Sequence, residues 1–267
     1  MNQSPSQTTH LFTNRQITAM LLPLMAEQLL ITLMGMVNTF MVAHVGSYAI
    51  SAVSLVDSIN ILVIQAFYAL STGATIVCAQ YLGQKKTGHA IRSAEQTLFI
   101  VTLISLVTAA FCILFDRQIL RLIFGTVDEE VFNSARTYFF YSSLSYPFIA
   151  LYDAGSSIFR AQKNTGFPMA MSLIANIANV IGNIILVLIL GQGVAGAAIS
   201  TLAARALCAL LVLLRLVKPR ENQPVYVANY TRIRPHMPLI RRILHIGIPA
   251  GIENSMFQFG KLAIQSS

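Results

Sequence analysis

The sequence predicts an all-α fold, a polytopic transmembrane helix bundle made of a six-helix lobe plus a truncated seventh helix. Two observations carry this reading. Of 267 residues, 55% are hydrophobic and only 10% are charged, a balance that water-soluble domains do not show. Apolar runs of the roughly 20 residues needed to cross a hydrocarbon layer of about 30 Å also recur along the chain, separated by short polar joints. Lipid offers no partner to backbone N–H and C=O groups, so each run is read as a helix.

The elements follow in order. Residues 1–16 form a polar N-terminal arm. Spans are expected at Ile17–Val42, Ile50–Tyr81, Ser93–Phe115, Ser134–Phe159, Phe167–Leu190 and Val194–Val217, and a seventh begins near Leu239. The domains divide accordingly into a lobe over 17–217, an inter-lobe loop over 218–238, and the first helix of a second, truncated lobe over 239–267. The last apolar run has no closing polar flank, so the chain is expected to be a fragment that lacks its C-terminal lobe. The first run is too long for a cleaved signal peptide and carries Glu27, which fits an uncleaved first helix.

The net charge of +8 is distributed by joint. Arg15 precedes the first span; Lys85, Lys86 and Arg92 follow the second; Arg160 and Lys163 follow the fourth. Arg215, Lys218, Arg220, Arg232, Arg234, Arg241 and Arg242 surround the sixth joint. The alternate joints hold only Arg117, Arg121 and Arg136, among Asp116, Asp128, Glu129 and Glu130. Basic loops stay in the cytoplasm during insertion, so the N-terminus and the even-numbered joints are expected on the cytoplasmic side of the cell (inner) membrane. This scatter excludes nucleic acid as a partner and leaves the lipid bilayer.

Cys78, Cys112 and Cys208 stand alone within spans and read as small buried hydrophobes. Asn229-Tyr-Thr231 matches a glycosylation acceptor but falls in a loop expected to be cytoplasmic. Gly191-Gln-Gly193-Val-Ala-Gly196 spells the dinucleotide fingerprint, yet the preceding run is too long for a strand and no acid follows at the required distance. It reads instead as a tight joint followed by small residues that let helices approach closely.

Internal repetition is the most informative signal. Arg15, Ile17, Pro23 and Glu27-Gln28 recur as Arg241, Ile243, Pro249 and Glu253-Asn254, each 226 positions on. Duplication of a six-helix unit follows, an architecture in which transporter sites lie between the halves. Acids within spans are costly to insert and are read as functional candidates: Glu27, Asp57, Asp153 and Glu253. Glu27 and Asn38, about three turns apart, share one face of the first helix, and Asn176, Asn179 and Asn183 share an arc of the fifth. Tyr141, Ser145 and Tyr152 align on the fourth, and Arg205 is placed to neutralise an acid. Each of these is either a bond between helices or a contact to an ion or substrate; Met20, Met25, Met34, Met36 and Met41 on the first helix are either a binding wall or lipid-facing filler.

Gln28-Leu-Leu, then Gly35-Met-Val-Asn38-Thr-Phe-Met-Val and Gly46, then Ala79-Gln80-Tyr-Leu-Gly83, resemble the start of the multidrug and toxin extrusion (MATE) family. So do Phe159-Arg160-Ala161 with Pro168, and Gly193-Val-Ala-Gly196-Ala-Ala, and the resemblance runs in order from about residue 15. It implies a twelve-helix protein of two lobes around a V-shaped cavity, exchanging external sodium ions or protons for internal cationic or amphipathic drugs, with no cofactor beyond the coupling ion. Where the family commonly has aspartates, this chain has Asn38 and Asn183, which can offer an amide oxygen to a cation but cannot titrate. Coupling is therefore expected to rest on Glu27, Asp57 or Glu253. A flippase for a lipid-linked saccharide would want a cavity rich in Arg and Lys, whereas Arg205 is the only basic residue inside the first six spans away from their ends. A membrane enzyme would need clustered catalytic residues, and the five histidines lie in loops or near span ends without HExxH or Gly-x-Ser-x-Gly spacing.

Overall fold

The computed structural model describes residues 14–125, 127–220, 223–228, 230, 233 and 235–265, with side chains from Thr18 to Ile252. Its helices are α1 (Asn14–Ala43), α2 (Ser47–Gly83), α3 (Thr87–Leu114), α4 (Asp116–Phe124), α5 (Glu129–Ala161), α6 (Gly166–Asn183), α7 (Gly193–Leu216) and α8 (Met237–Gln265). Beyond Asn183, α6 continues as a wider π-helical turn over Ile184–Ile189. No strand occurs among the described residues; one isolated antiparallel bridge joins Arg220 and Gln223. The helices match the expected spans to within a few residues, with one addition: the joint after the third span contains α4. Residues 1–13 of the expected arm, Asn229, Arg232 and Arg234 lie outside the described residues, as does the side chain of Glu253.

Among the described residues, five helical segments are long and apolar enough to cross a membrane: Thr18–Ala43, Ser47–Gly83, Thr87–Leu114, Gly166–Ile189 and Gly193–Leu216. The chain is a multi-pass membrane protein. α5 covers the expected fourth span without matching their apolarity, and its position explains why. It packs against α2, α3 and α7, so it need not present a lipid-soluble surface and can bury Ser142, Ser143, Ser145, Asp153, Ser156 and Ser157. α1 is the opposite case. It leans chiefly on α6 and buries Glu27, Asn38 and Val42, while Leu22, Met25, Leu29, Met36 and Phe40 stay exposed.

Glycines act where backbones must meet or turn. Gly191 and Gly193 adopt φ of +62° and +57°, making the tight joint between α6 and α7. A Cβ at Gly196 would stand 2.9 Å from the Leu186 carbonyl oxygen, so the fingerprint-like motif serves helix packing. α2 and α8 cross as closely: a Cβ at Gly73 would stand 2.6 Å from the Ile243 carbonyl oxygen. α1 and α8 both carry an internal proline, Pro23 and Pro249, at corresponding places in the sequence repeat.

The segment between α7 and α8 is strapped to the bundle. Val225 and Val227 are fully buried. The Val225 N–H donates to Gln162 Oε1 (3.0 Å) while Gln162 Nε2 donates to the Val225 carbonyl (3.3 Å). The Val227 N–H donates to the Leu216 carbonyl (2.8 Å). Tyr230 donates to the Leu213 carbonyl (2.7 Å), and burial pushes its hydroxyl up to about 12. The His236 N–H donates to Gln96 Oε1 (2.8 Å).

Candidate functional site

Among the described residues, three polar centres hold the sequence-predicted side chains, each joining side chains from different helices. The first lies between α1, α6 and α7. Asn183 Nδ2 donates to Asn38 Oδ1 (2.7 Å) and to Asn179 Oδ1 (3.2 Å). Asn38 Nδ2 and Asn179 Nδ2 both donate to Thr201 Oγ1, at 3.2 and 3.1 Å, and Thr201 donates in turn to the Ala197 carbonyl (3.0 Å). All four side chains are buried. Asn183 Oδ1 is left without a donor, an oxygen acceptor enclosed in a neutral shell. The arc of asparagines expected on the fifth span is thus used at Asn179 and Asn183. Asn176 is half-buried and donates only to the Ser172 carbonyl of its own helix (2.9 Å), so it stands apart from this centre.

The second centre joins α1 to α5 and α6. Arg160 Nη2 pairs with Glu27 Oε1 at 2.7 Å, with the carboxylate side chain only 3% exposed. Tyr152 Oη lies 3.1 Å from the same Glu27 oxygen and 3.2 Å from the Pro168 carbonyl. The aromatic–acid–guanidinium arrangement binds the half of α1 that begins the chain to the bundle. Asp153, next to Tyr152, is buried and accepts no hydrogen bond or ion pair from the described residues. It lies in the fields of Arg160, Glu27 and Arg205.

The third centre joins α2 to α5. Asn60 Nδ2 donates to Asp57 Oδ1 (3.1 Å) and Ser142 Oγ (3.3 Å), and Tyr146 donates to Asn60 Oδ1 (2.9 Å). Arg205 from α7 donates to Ser145 Oγ (2.6 Å) and faces Asp57 through space without reaching ion-pair distance. The neutralising role expected of Arg205 is therefore long-range. Sequence reasoning missed Thr201, Asn60, Ser142 and Tyr146, and placed Arg160 among the loop cations rather than in an ion pair.

Two open clefts, one of about 670 Å³ between the start of α2 and the start of α5 and one of about 550 Å³ between α4 and the start of α5, hold no residue of the three centres in their lining. Among the described residues no group of His, Cys, Asp and Glu is arranged to hold a metal ion.

The comparisons with known proteins converge. The chain is 27% identical over 258 residues to "Probable multidrug resistance protein NorM" of Thermotoga maritima, covering 93% of this chain and 53% of that protein. It is 26% identical over 248 residues to "Multidrug export protein MepA" of Staphylococcus aureus, covering 91% of this chain and 53% of the relative. The chain thus spans about half the length of these relatives. Its fold matches the structure "Outward-facing conformation of a multidrug resistance MATE family transporter of the MOP superfamily" with a TM-score of 0.82 at 21% identity, covering 94% of this chain and 56% of that one. "Crystal structure of MATE in complex with MaL6" matches with a TM-score of 0.86 at 20% identity, covering 94% and 55%. Residues 23–185, more than half of the chain, match the family described as MatE, and the chain belongs to that family.

Proposed function

We propose that this chain is the N-terminal lobe of a secondary active transporter that exports small cationic or amphipathic compounds in exchange for sodium ions or protons. A second lobe is then its structural partner, and the N-terminus faces the cytoplasm. The observation that carries the reading is the buried centre of Asn38, Asn179, Asn183 and Thr201, with the Asn183 Oδ1 acceptor open. Neutral oxygens enclosed by three helices suit a hard monovalent cation and cannot hold a proton, so this centre favours sodium over protons. Because α1 contributes one of the four side chains, occupancy by an ion would bias how α1 sits on α6 and α7, which links ion binding to conformation.

The acids divide by environment. Glu27 is neutralised by Arg160, Asp57 is held by Asn60 opposite Arg205, and Asp153 has no partner among the described residues. Asp57 and Asp153 are the described acids available for substrate or proton contact, and Glu253 in the repeat remains a candidate in the second lobe. The test is ethidium efflux from cells producing the protein from its native gene, driven in turn by imposed sodium and proton gradients. Sodium-driven efflux is expected, and Asn183→Leu is expected to lower it by about tenfold or more, the scale of one buried polar contact removed. Absence of efflux under either gradient contradicts the reading.

A further inference from the structure

Two side chains of α5, two turns apart, lack a full set of partners among the described residues. Asp153 is buried without a hydrogen-bond or ion-pair partner among the described residues. Arg160, seven residues on and therefore on the same side of the helix, commits Nη2 to Glu27 but leaves Nε buried without an acceptor. Each lies in the other's field. A buried carboxylate without a donor and a buried guanidinium N–H without an acceptor are both costly, and direct pairing would relieve both. What prevents it in this conformation is Glu27, which reaches in from α1 and takes the guanidinium at 2.7 Å, helped by Tyr152.

We infer that Arg160 is a shared pin with two alternative seats, Glu27 on α1 and Asp153 on its own helix, and that its transfer releases the first half of α1. The two states are close in energy because each satisfies one carboxylate at the expense of the other. The packing of α1 makes this release feasible: in its first half Glu27 is the sole buried residue among those described, with Leu21, Leu22, Met25 and Leu29 exposed around it. The Glu27 contact is thus a buried polar attachment of that half, and because Met20, Pro23, Leu24, Ala26 and Leu30 around it are only half-buried, moving Arg160 removes it with little deeply buried apolar surface to unpack. Arg160 acts here as a positioning residue that sets where α1 sits. The proposal rests on the transport reading only for its consequence in export.

The two acids then have opposite roles, which no purely structural role would produce. Hydrogen–deuterium exchange across α1, measured on the purified protein in detergent, reads this directly. Glu27→Gln is expected to speed exchange in the first half of α1 by about tenfold or more, because it empties one seat. Asp153→Asn is expected to slow it below wild type, because the competing seat is gone. Arg160→Gln should speed it as Glu27→Gln does, and adding Asp153→Asn to Arg160→Gln should change nothing further. Faster exchange in both acid variants, or no change in either, overturns the proposal. If Asp153→Asn does not fold, Asp153→Ser provides the same removal with a smaller side chain. Efflux by the same variants is measured separately, so a protein that exports nothing would sink the transport reading while the exchange result still decides the fate of the pin.

Discussion

At the residue scale, the amide centre is a problem of donors and acceptors. Four side chains from three helices meet with no charge among them, and Thr201 is the hub: its one oxygen accepts from both Asn38 and Asn179. Thr201→Val keeps the shape and removes that acceptor, leaving two buried amide donors unpaired. A loss of about 2 kcal/mol is expected, read as a fall in thermal unfolding temperature in detergent, whereas Thr201→Ser should lose little. Asn38, Asn179 and Asn183 were legible because asparagine on a membrane-spanning helix is unusual and helical spacing aligns it. Thr201 was not, because threonine on an apolar helix ordinarily bonds back to its own turn, as this one also does to Ala197. The Glu27–Arg160 pair was hidden for a different reason. Their 133-residue separation gives no local pattern, and Arg160 lies at a helix end where positive charge is already explained by topology.

At the element scale, helix placement follows from which surfaces must meet lipid. The spans were legible wherever a helix faces hydrocarbon on one side, as α2, α3, α6 and α7 do. α5 shows the limit: enclosed by its neighbours, it tolerates buried serines that lower its apolarity below that of the other spans. α4 was missed because its nine residues are short and amphipathic, with Leu120 buried and Leu122 exposed, and such a segment reads as a polar joint. The α2–α8 crossing makes an element-level prediction. Gly73→Leu would drive a side chain into the backbone of α8 at Ile243 and Gly247, so a destabilisation of about 1–3 kcal/mol is expected with the contact between the two helices loosened. Faster hydrogen exchange in α8, with α5 and α7 unchanged, is the expected result. Unchanged exchange in α8 would show that the close crossing does not hold the two helices together.

At the scale of the whole molecule, the first and last helices carry the same residue pattern. Pro23 and Pro249 sit inside the first and last helices, and the sequence separation of 226 residues carries Glu27 onto Glu253. The connecting segment, expected as a loop, is anchored at Val225, Val227, Tyr230 and His236, which fixes where α8 enters. Little in its composition announces this, because three of the four anchors are backbone N–H groups, of Val225, Val227 and His236, and backbone donors leave no trace in residue type; only Tyr230 anchors through its side chain. Within this frame the amide centre is the place where α1, α6 and α7 are tied together without charge, and the central claim is that it holds the coupling cation. Equilibrium binding of radiolabelled sodium to the purified protein tests that claim most directly. Saturable sodium binding is expected in the wild type and its loss is expected in Asn183→Leu, with Asn176→Leu, outside the centre, binding as the wild type does. Equal sodium binding by wild type and Asn183→Leu would contradict it.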